Sequence, residues 1–209
     1  MNVTFRLDRA RNLLFDASGH RFDPQLRSWT NSTTPVSGEV VDSIAAATWL
    51  QRGSGAPVRV PIGVIGPRDA TDQQLAAAQD IGRGLASMGF VVICGGRHGV
   101  MEAVCRGAAA AGGVTIGMLP DADPTFANPY VGIVIATGIG EARNALIARA
   151  SLCLVAIGDS FGTLSEVALS RQFGKRVIGL EGAAQVDGVV HLASVDEALA
   201  ALARCALNQ

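Results

Sequence analysis

Residues 90–113 read FVVICGGRHGVMEAVCRGAAAAGG, and this stretch decides the fold. Its first five residues, Phe90–Cys94, are apolar without the alternation of a one-sided strand, so they predict a strand buried on both faces. Two glycines follow at once, and from Val100 to Ala111 the sequence predicts a helix. Working outward, the same rhythm recurs on either side. Strands are predicted at Val60–Ile65, Val114–Met118, Val131–Ile135, Leu152–Ile157 and Arg176–Leu180. Helices are predicted at Asp72–Met88, Glu141–Ala150, Thr163–Phe173 and Val195–Ala206, the last after a small apolar run at Val189–Leu192. Such alternation predicts an α/β fold, a doubly wound and mostly parallel sheet with right-handed crossovers. Ligands of such sheets bind beyond the carboxyl ends of the strands, where this chain keeps its glycines and unusual polar residues.

The first part of the chain differs. Val3, Phe5 and Leu7 alternate with Thr4, Arg6 and Asp8, and a polar turn leads into Asn12–Asp16, a pattern that predicts a β-hairpin. Residues 17–38 are polar and turn-rich around Trp29. A short helix is predicted from Val41 to Gln51, and Gly53–Pro57 reads as a linker. Five of the ten aromatic residues lie in the first fifty, too many for a disordered tail. The expected division is a hairpin-and-helix extension at 1–56 and a ligand-binding domain at 57–209.

Composition excludes several classes. The 209 residues are 49% hydrophobic and 17% charged, with a net charge of −1. No uninterrupted apolar run is long enough to span a bilayer, and Arg6, Asp8, Arg9 and Arg11 leave no room for a secretory signal, so a cytoplasmic protein is expected. The near-neutral balance offers no basic stripe for nucleic acid. Sixteen of the seventeen basic residues are Arg, Lys175 being the exception, and 33 residues are Ala; this skew reads as genome base composition. Cys94, Cys105, Cys153 and Cys205 show no paired spacing, and buried free thiols are expected. His98 has no second ligand at metal-binding spacing, so no metal site is expected.

Four loops are predicted to share the carboxyl edge. The first, Gly63–Thr71, carries Gly66 and Arg68 but neither the dinucleotide fingerprint nor a phosphate-loop lysine motif. The second, Gly95-Gly96-Arg97-His98-Gly99, sits between strand and helix, where bare N–H groups and the helix dipole suit an anion. The third contains Thr137, Gly138, Gly140, Arg143 and Asn144. A cation at Arg143, in the first turn of its helix, opposes the dipole, and an anionic ligand or plain solvation accounts for it. The fourth, Gly158-Asp159-Ser160-Phe161-Gly162-Thr163, opens a helix in which Thr163-x-x-Glu166 reads as a capping box, while the same Gly, Ser and Thr groups suit a phosphate.

Together, GGRHGVMEAVCRGAAAAGG (95–113), ARNALIARAS (142–151) and GDSFGTLSEVAL (158–169) resemble the Rossmann-like superfamily once labelled lysine decarboxylase-like. It includes the LOG cytokinin-activating phosphoribohydrolases and the molybdenum cofactor carrier proteins, and the resemblance spans residues 58–205. The family's P-G-G-x-G-T-x-x-E motif maps onto Gly158, Gly162, Thr163 and Glu166, and its arginine onto Arg143. The resemblance implies Arg143 and Glu166 as catalytic residues if the chain is a hydrolase. Ile157-Gly158-Asp159-Ser160 stands where Pro-Gly-Gly is expected, and Asn144 where the family has lysine. The region around Gly99–Glu102, Asn128–Tyr130 and Thr137–Asn144 is nearer the carrier branch.

Two functions follow as expectations. One is a binding protein for a phosphorylated nucleotide or pterin-type cofactor, acting as carrier or sensor. It needs no cofactor of its own and holds a nucleotide or molybdopterin-type ligand through Gly66, Arg68, Gly95, Gly96, Arg97, Gly99, Thr137, Asn144, Gly158, Ser160, Gly162 and Thr163. The other is a phosphoribohydrolase cleaving the N-glycosidic bond of a nucleoside 5′-monophosphate, with Glu166 acting on water or the transition state and Arg143 fixing the phosphate. A homodimer or homotetramer is expected from the resemblance and from alanine-rich helices that permit close packing. Removal of Arg143 is expected to leave stability without ligand nearly unchanged.

Overall fold

A computed structural model describes residues 3–209; Met1 and Asn2 lie outside it. The chain forms two compact units, residues 59–199 and residues up to 58 joined by 200–209.

The larger unit is built on β6 (Ile62–Ile65), β7 (Val92–Cys94), β8 (Thr115–Leu119), β9 (Ile133–Ala136), β10 (Leu154–Ile157), β11 (Val177–Leu180) and β12 (Val189–His191). Their order is β12-β11-β10-β6-β7-β8-β9, and every neighbouring pair is parallel. The chain runs outward from β6 to β9, then crosses back to β10 and runs the other way. The reversal lies between β6 and β10, which is where a doubly wound sheet opens a crevice. All four residues of β6, β10 and β11 are buried, as their continuous apolar runs require.

The helices are α2 (Asp72–Met88), α3 (Val100–Ala110), α4 (Asn144–Ala150), α5 (Phe161–Gln172) and α6 (Val195–Ala206). Helices α2 and α3 pack closely on each other. A Cβ at Gly107 would lie 1.9 Å from the Gln79 carbonyl oxygen, so only glycine permits this approach. Ala77, Ala78, Ala103 and Ala108 are buried. The alanine-rich faces therefore serve packing within the chain, and the argument for self-association from them falls away.

β9 follows β8 without an α-helix between them, as the sequence reading expects. Only a 3₁₀ turn, Pro124–Phe126, separates it from β8, and Ile133, Val134 and Ile135 at the sheet edge are all exposed. The helix expected from Glu141 begins later: Gly140–Arg143 is a 3₁₀ turn and α4 starts at Asn144.

In the other unit the hairpin is present, β1 (Phe5–Asp8) against β2 (Leu13–Phe15) with Arg6 opposite Phe15. It belongs to a larger antiparallel sheet. β3 (Arg21–Asp23), β4 (Ser28–Thr30) and β5 (Glu39–Val41) complete five strands in the order β4-β3-β2-β1-β5, so the stretch read as merely turn-rich contributes two of the strands. α1 (Ser43–Arg52) is capped by Asp42, whose carboxylate accepts from the Ala45 N–H at 2.8 Å. The aromatic residues explain the unit's discontinuity in sequence. Trp29 stacks on Phe5 at 5.7 Å, and its Nε1 donates to the Leu207 carbonyl at 2.7 Å, so the last ten residues close this core.

Candidate functional site

At the carboxyl ends of β6 and β10 three segments surround a cleft of about 570 Å³. The loop after β6 supplies Gly66, Pro67, Arg68 and Asp69. The start of α5 supplies Asp159, Ser160, Gly162, Thr163 and Glu166. The 3₁₀ turn before α4 supplies Glu141, Arg143 and Asn144, and Met101 of α3 lines the wall. The volume suits a small molecule.

Each segment is fixed by ordinary local chemistry. Thr71 and Gln74 form a capping box that ends the first loop and starts α2. Ser160 caps α5: its Oγ accepts from the Thr163 N–H at 3.1 Å. This corrects the capping box read at Thr163-x-x-Glu166. The helix begins at Phe161, so Glu166 is well inside it and its side chain is free for the cleft. A helix start leaves several N–H groups without internal partners. Ser160 Oγ satisfies that of Thr163, and Asp159 accepts from the Ser160 N–H at 2.8 Å. Asp159 is thus turned onto its own loop and takes one donor of the expected phosphate cradle. The N–H groups of Phe161 and Gly162 have no partner among the described residues.

The charged centre is Arg143 with Glu166. Both are buried, and Arg143 Nη1 donates to Glu166 Oε1 at 3.1 Å. Nη1 also donates to Asn144 Oδ1. Asn144 Nδ2 in turn donates to Ser165 Oγ at 2.8 Å, and Ser165 Oγ to the Gly162 carbonyl at 2.7 Å. The arginine is therefore linked to the open end of α5. Its Nε is buried with no partner among the described residues, a cost that an incoming acceptor can relieve. Burial pushes the Glu166 carboxyl up to about 7; the Arg143 charge pulls it back and Glu141 pushes it up further. An acid poised near neutrality beside a buried cation can hold or release a proton as charge arrives.

The structure divides the expected site residues. Gly66, Arg68, Arg143, Asn144, Ser160, Gly162, Thr163 and Glu166 share the cleft. Gly95 lies beneath it: a Cβ there would be 2.7 Å from Arg143 Nη2, so this glycine makes room for the guanidinium. Gly99 has φ +70 and would drive a Cβ to 2.2 Å from the Arg68 carbonyl oxygen, so it seats one loop on the other. Gly96, Arg97 and Thr137 lie outside the cleft. Gly96 packs against Gly117, Arg97 pairs with Asp121 over the Phe126 ring, and Thr137 Oγ1 donates to the Leu119 carbonyl. Gly158 packs on the Gln74 side chain. His98 is exposed, 3.2 Å from Glu102. The glycines of the loop after β7 therefore serve close packing beside the cleft.

The sequence reading omitted Pro67, Asp69, Met101, Glu141 and Asp159 from the ligand-binding set. Their signal was position: each lies in or beside a loop already assigned to the carboxyl edge.

Comparison with known proteins agrees with this architecture. A family model described as the SLOG cluster4 family matches residues 59–204. An uncharacterized protein of Archaeoglobus fulgidus is 36% identical over 138 residues, 66% of this chain and 91% of that one. The molybdenum cofactor binding protein of Rippkaea orientalis superposes with a TM-score of 0.65 at 36% identity, covering 69% of this chain and 96% of the other. The Moco carrier protein of Chlamydomonas reinhardtii gives a TM-score of 0.66 at 36% identity, covering 72% and 100%. Among the described residues no helix is long and apolar enough to cross a membrane.

Proposed function

The chain belongs to the SLOG cluster4 family, and from that we propose that it is a carrier for a phosphorylated small molecule, a pterin-type cofactor or a nucleotide. The observation that carries this reading is Arg143: a buried cation with an unpartnered Nε, lining a cleft beside the open N–H groups of Phe161 and Gly162. Those groups fit the phosphate end of a molybdopterin-type cargo. In this reading Arg143 supplies charge, the α5 amides bind two oxygens, and Arg68 closes the mouth. The similar solved structures include proteins named for binding or carrying the molybdenum cofactor, which favours the pterin. Calorimetry with the isolated cofactor and with nucleoside monophosphates tests it. Binding that Arg143→Ala does not weaken would refute the site.

A second reading keeps one specific observation in its favour. A phosphoribohydrolase needs Glu166 free of capping duty and facing the same cleft as Arg143, and both conditions hold. Asp159, which consumes one loop donor, weighs against it. Release of free base from a nucleoside monophosphate, abolished by Glu166→Gln with binding retained, would make the chain an enzyme.

We further propose a cytoplasmic protein that self-associates through β9. Parallel sheets are ordinarily covered on both faces, yet Ile133–Ala136 is an exposed apolar edge with no charge, the composition of a surface that meets its own copy. Light scattering should give a multiple of 21.5 kDa, reduced to the monomer by Ile135→Lys.

A further inference from the structure

The two arginines of the cleft already share a carboxylate. Glu141 Oε1 lies 3.6 Å from Arg68 Nη2, and Glu141 Oε2 lies 3.9 Å from Arg143 Nη2. The carboxylate stands between cations from separate loops, one following β6 and one preceding α4. Both separations exceed hydrogen-bond length. The Glu141 side chain is 65% exposed, so each attraction is weak and screened by salt. The contrast is with Glu166, which holds the other terminal nitrogen of Arg143 at 3.1 Å and is only 8% exposed. One acid is built into the site, and the other rests on it.

The backbone before Glu141 is held, the Gly138 N–H donating to the Asp121 carbonyl at 3.1 Å and the Gly140 N–H to the Pro120 carbonyl at 3.0 Å, so it is the exposed Glu141 side chain that can move. Gly138 and Gly140 both have positive φ, a Cβ at Gly140 would touch nothing within 4 Å, and no side chain caps the 3₁₀ turn. Among the described residues the Glu141 carboxylate is held by the two arginines alone.

We propose that the gap between Arg68 and Arg143 is the subsite for the ligand's anionic group, and that Glu141 occupies it in the free chain as an internal competitor. This rests on the anion-binding reading given above. The incoming oxyanion displaces the Glu141 carboxylate, which swings to solvent. The competitor also sets specificity. A carboxylate ligand brings the same single charge that Glu141 already offers, whereas a phosphate brings more charge and a third oxygen for the α5 amides. The site therefore favours phosphate over carboxylate.

The sign of one mutation tests this. Calorimetric titration of the full chain with AMP, and separately with inorganic pyrophosphate, compares the wild type with Glu141→Gln, Glu141→Asp and Arg143→Ala. Glu141→Gln should bind about three- to tenfold more tightly at low salt, with the gain shrinking at about 0.5 M salt. Glu141→Asp should also bind more tightly, because the shorter side chain cannot bridge both cations. If Glu141→Gln binds no better while Arg143→Ala loses affinity, the competitor is refuted and the anion site stands. If only Gln improves binding and Asp equals the wild type, distant repulsion explains the effect and occupancy of the subsite is refuted. If Arg143→Ala binds as the wild type does, or if no variant binds either probe, the anion site itself falls, and the competitor with it.

Discussion

Two glycine-rich turns lead from strand to helix in this molecule, and their glycines have different surroundings. In the turn after β7, Gly95–Gly99, the glycines are closely packed: a Cβ at Gly99 would meet the Arg68 carbonyl at 2.2 Å, and one at Gly95 would meet Arg143. The turn after β10 is packed on Gln74 at Gly158 but open at its helix end, where a Cβ at Gly162 would find only Ser160 Oγ, at 3.8 Å. On paper both read as phosphate cradles. Glycine is required in one because backbone approaches backbone, and is present in the other where a ligand can approach. What lies beyond the missing Cβ distinguishes a close-packed glycine from an accessible one.

The largest effect should come from the close-packed glycine. Gly99→Val combines a positive φ with a collision against main-chain oxygen, and should destabilise by about 3–5 kcal/mol in a denaturant melt. A loss below about 1 kcal/mol would show that the turn has room and would break the contrast.

Arg143, which borders both turns, comes next. Arg143→Ala should weaken binding of a phosphorylated ligand about tenfold to a hundredfold, from the loss of about 1.5–3 kcal/mol of charge-assisted hydrogen bonding. The sequence-based expectation that stability is untouched needs correction, because Arg143 is buried against Glu166. Its removal leaves a buried acid without its cation, so stability should fall at alkaline pH and recover in acid as Glu166 takes a proton. Thermal melts across pH check this.

Glu166→Gln should sharpen the picture by a smaller amount. Burial makes the folded chain keep the Glu166 proton up to about pH 7, whereas an unshifted carboxyl releases it near 4.5. Its contribution to stability is thus full below about 4.5 and is lost as pH rises through 7. The variant should lack that decline, seen as a flatter melting temperature between these limits. The smallest effect on stability belongs to the accessible glycine. Gly162→Leu should shift stability by only about 0.5 kcal/mol while obstructing ligand, so melts and calorimetry should disagree for this residue and agree for Gly99.

The parallel sheet was legible because its strands are apolar on both faces, a pattern that survives loss of all context. The antiparallel sheet was not. β3 and β4 are three residues each, and the single alternations Arg21-Phe22-Asp23 and Ser28-Trp29-Thr30 are too short to mark strands. Phe22 and Trp29 hinted at burial, but Leu207, the hydrogen-bond partner of Trp29, is 178 residues away. In the cleft, Arg143 and Glu166 were legible through the family resemblance, since 23 residues of separation imply no contact. The cap was misread because Ser160 and Thr163 are both competent to cap, and a glutamate three places after Thr163 completes a box by coincidence. Spacing alone does not say which hydroxyl the helix uses.

The bond from Trp29 to Leu207 also sets a schedule for synthesis. Strands β1–β5 leave the ribosome first, yet their core lacks its final wall until residues 200–209 emerge. At about 5–20 residues per second, Trp29 waits roughly 10 to 40 seconds for its acceptor. During that interval the later-made parallel sheet can complete its own core, so the segment synthesised first is the one that finishes last. A nascent chain stalled before residue 200 should display a protease-resistant sheet from 59 onward and a cleavable N-terminal segment.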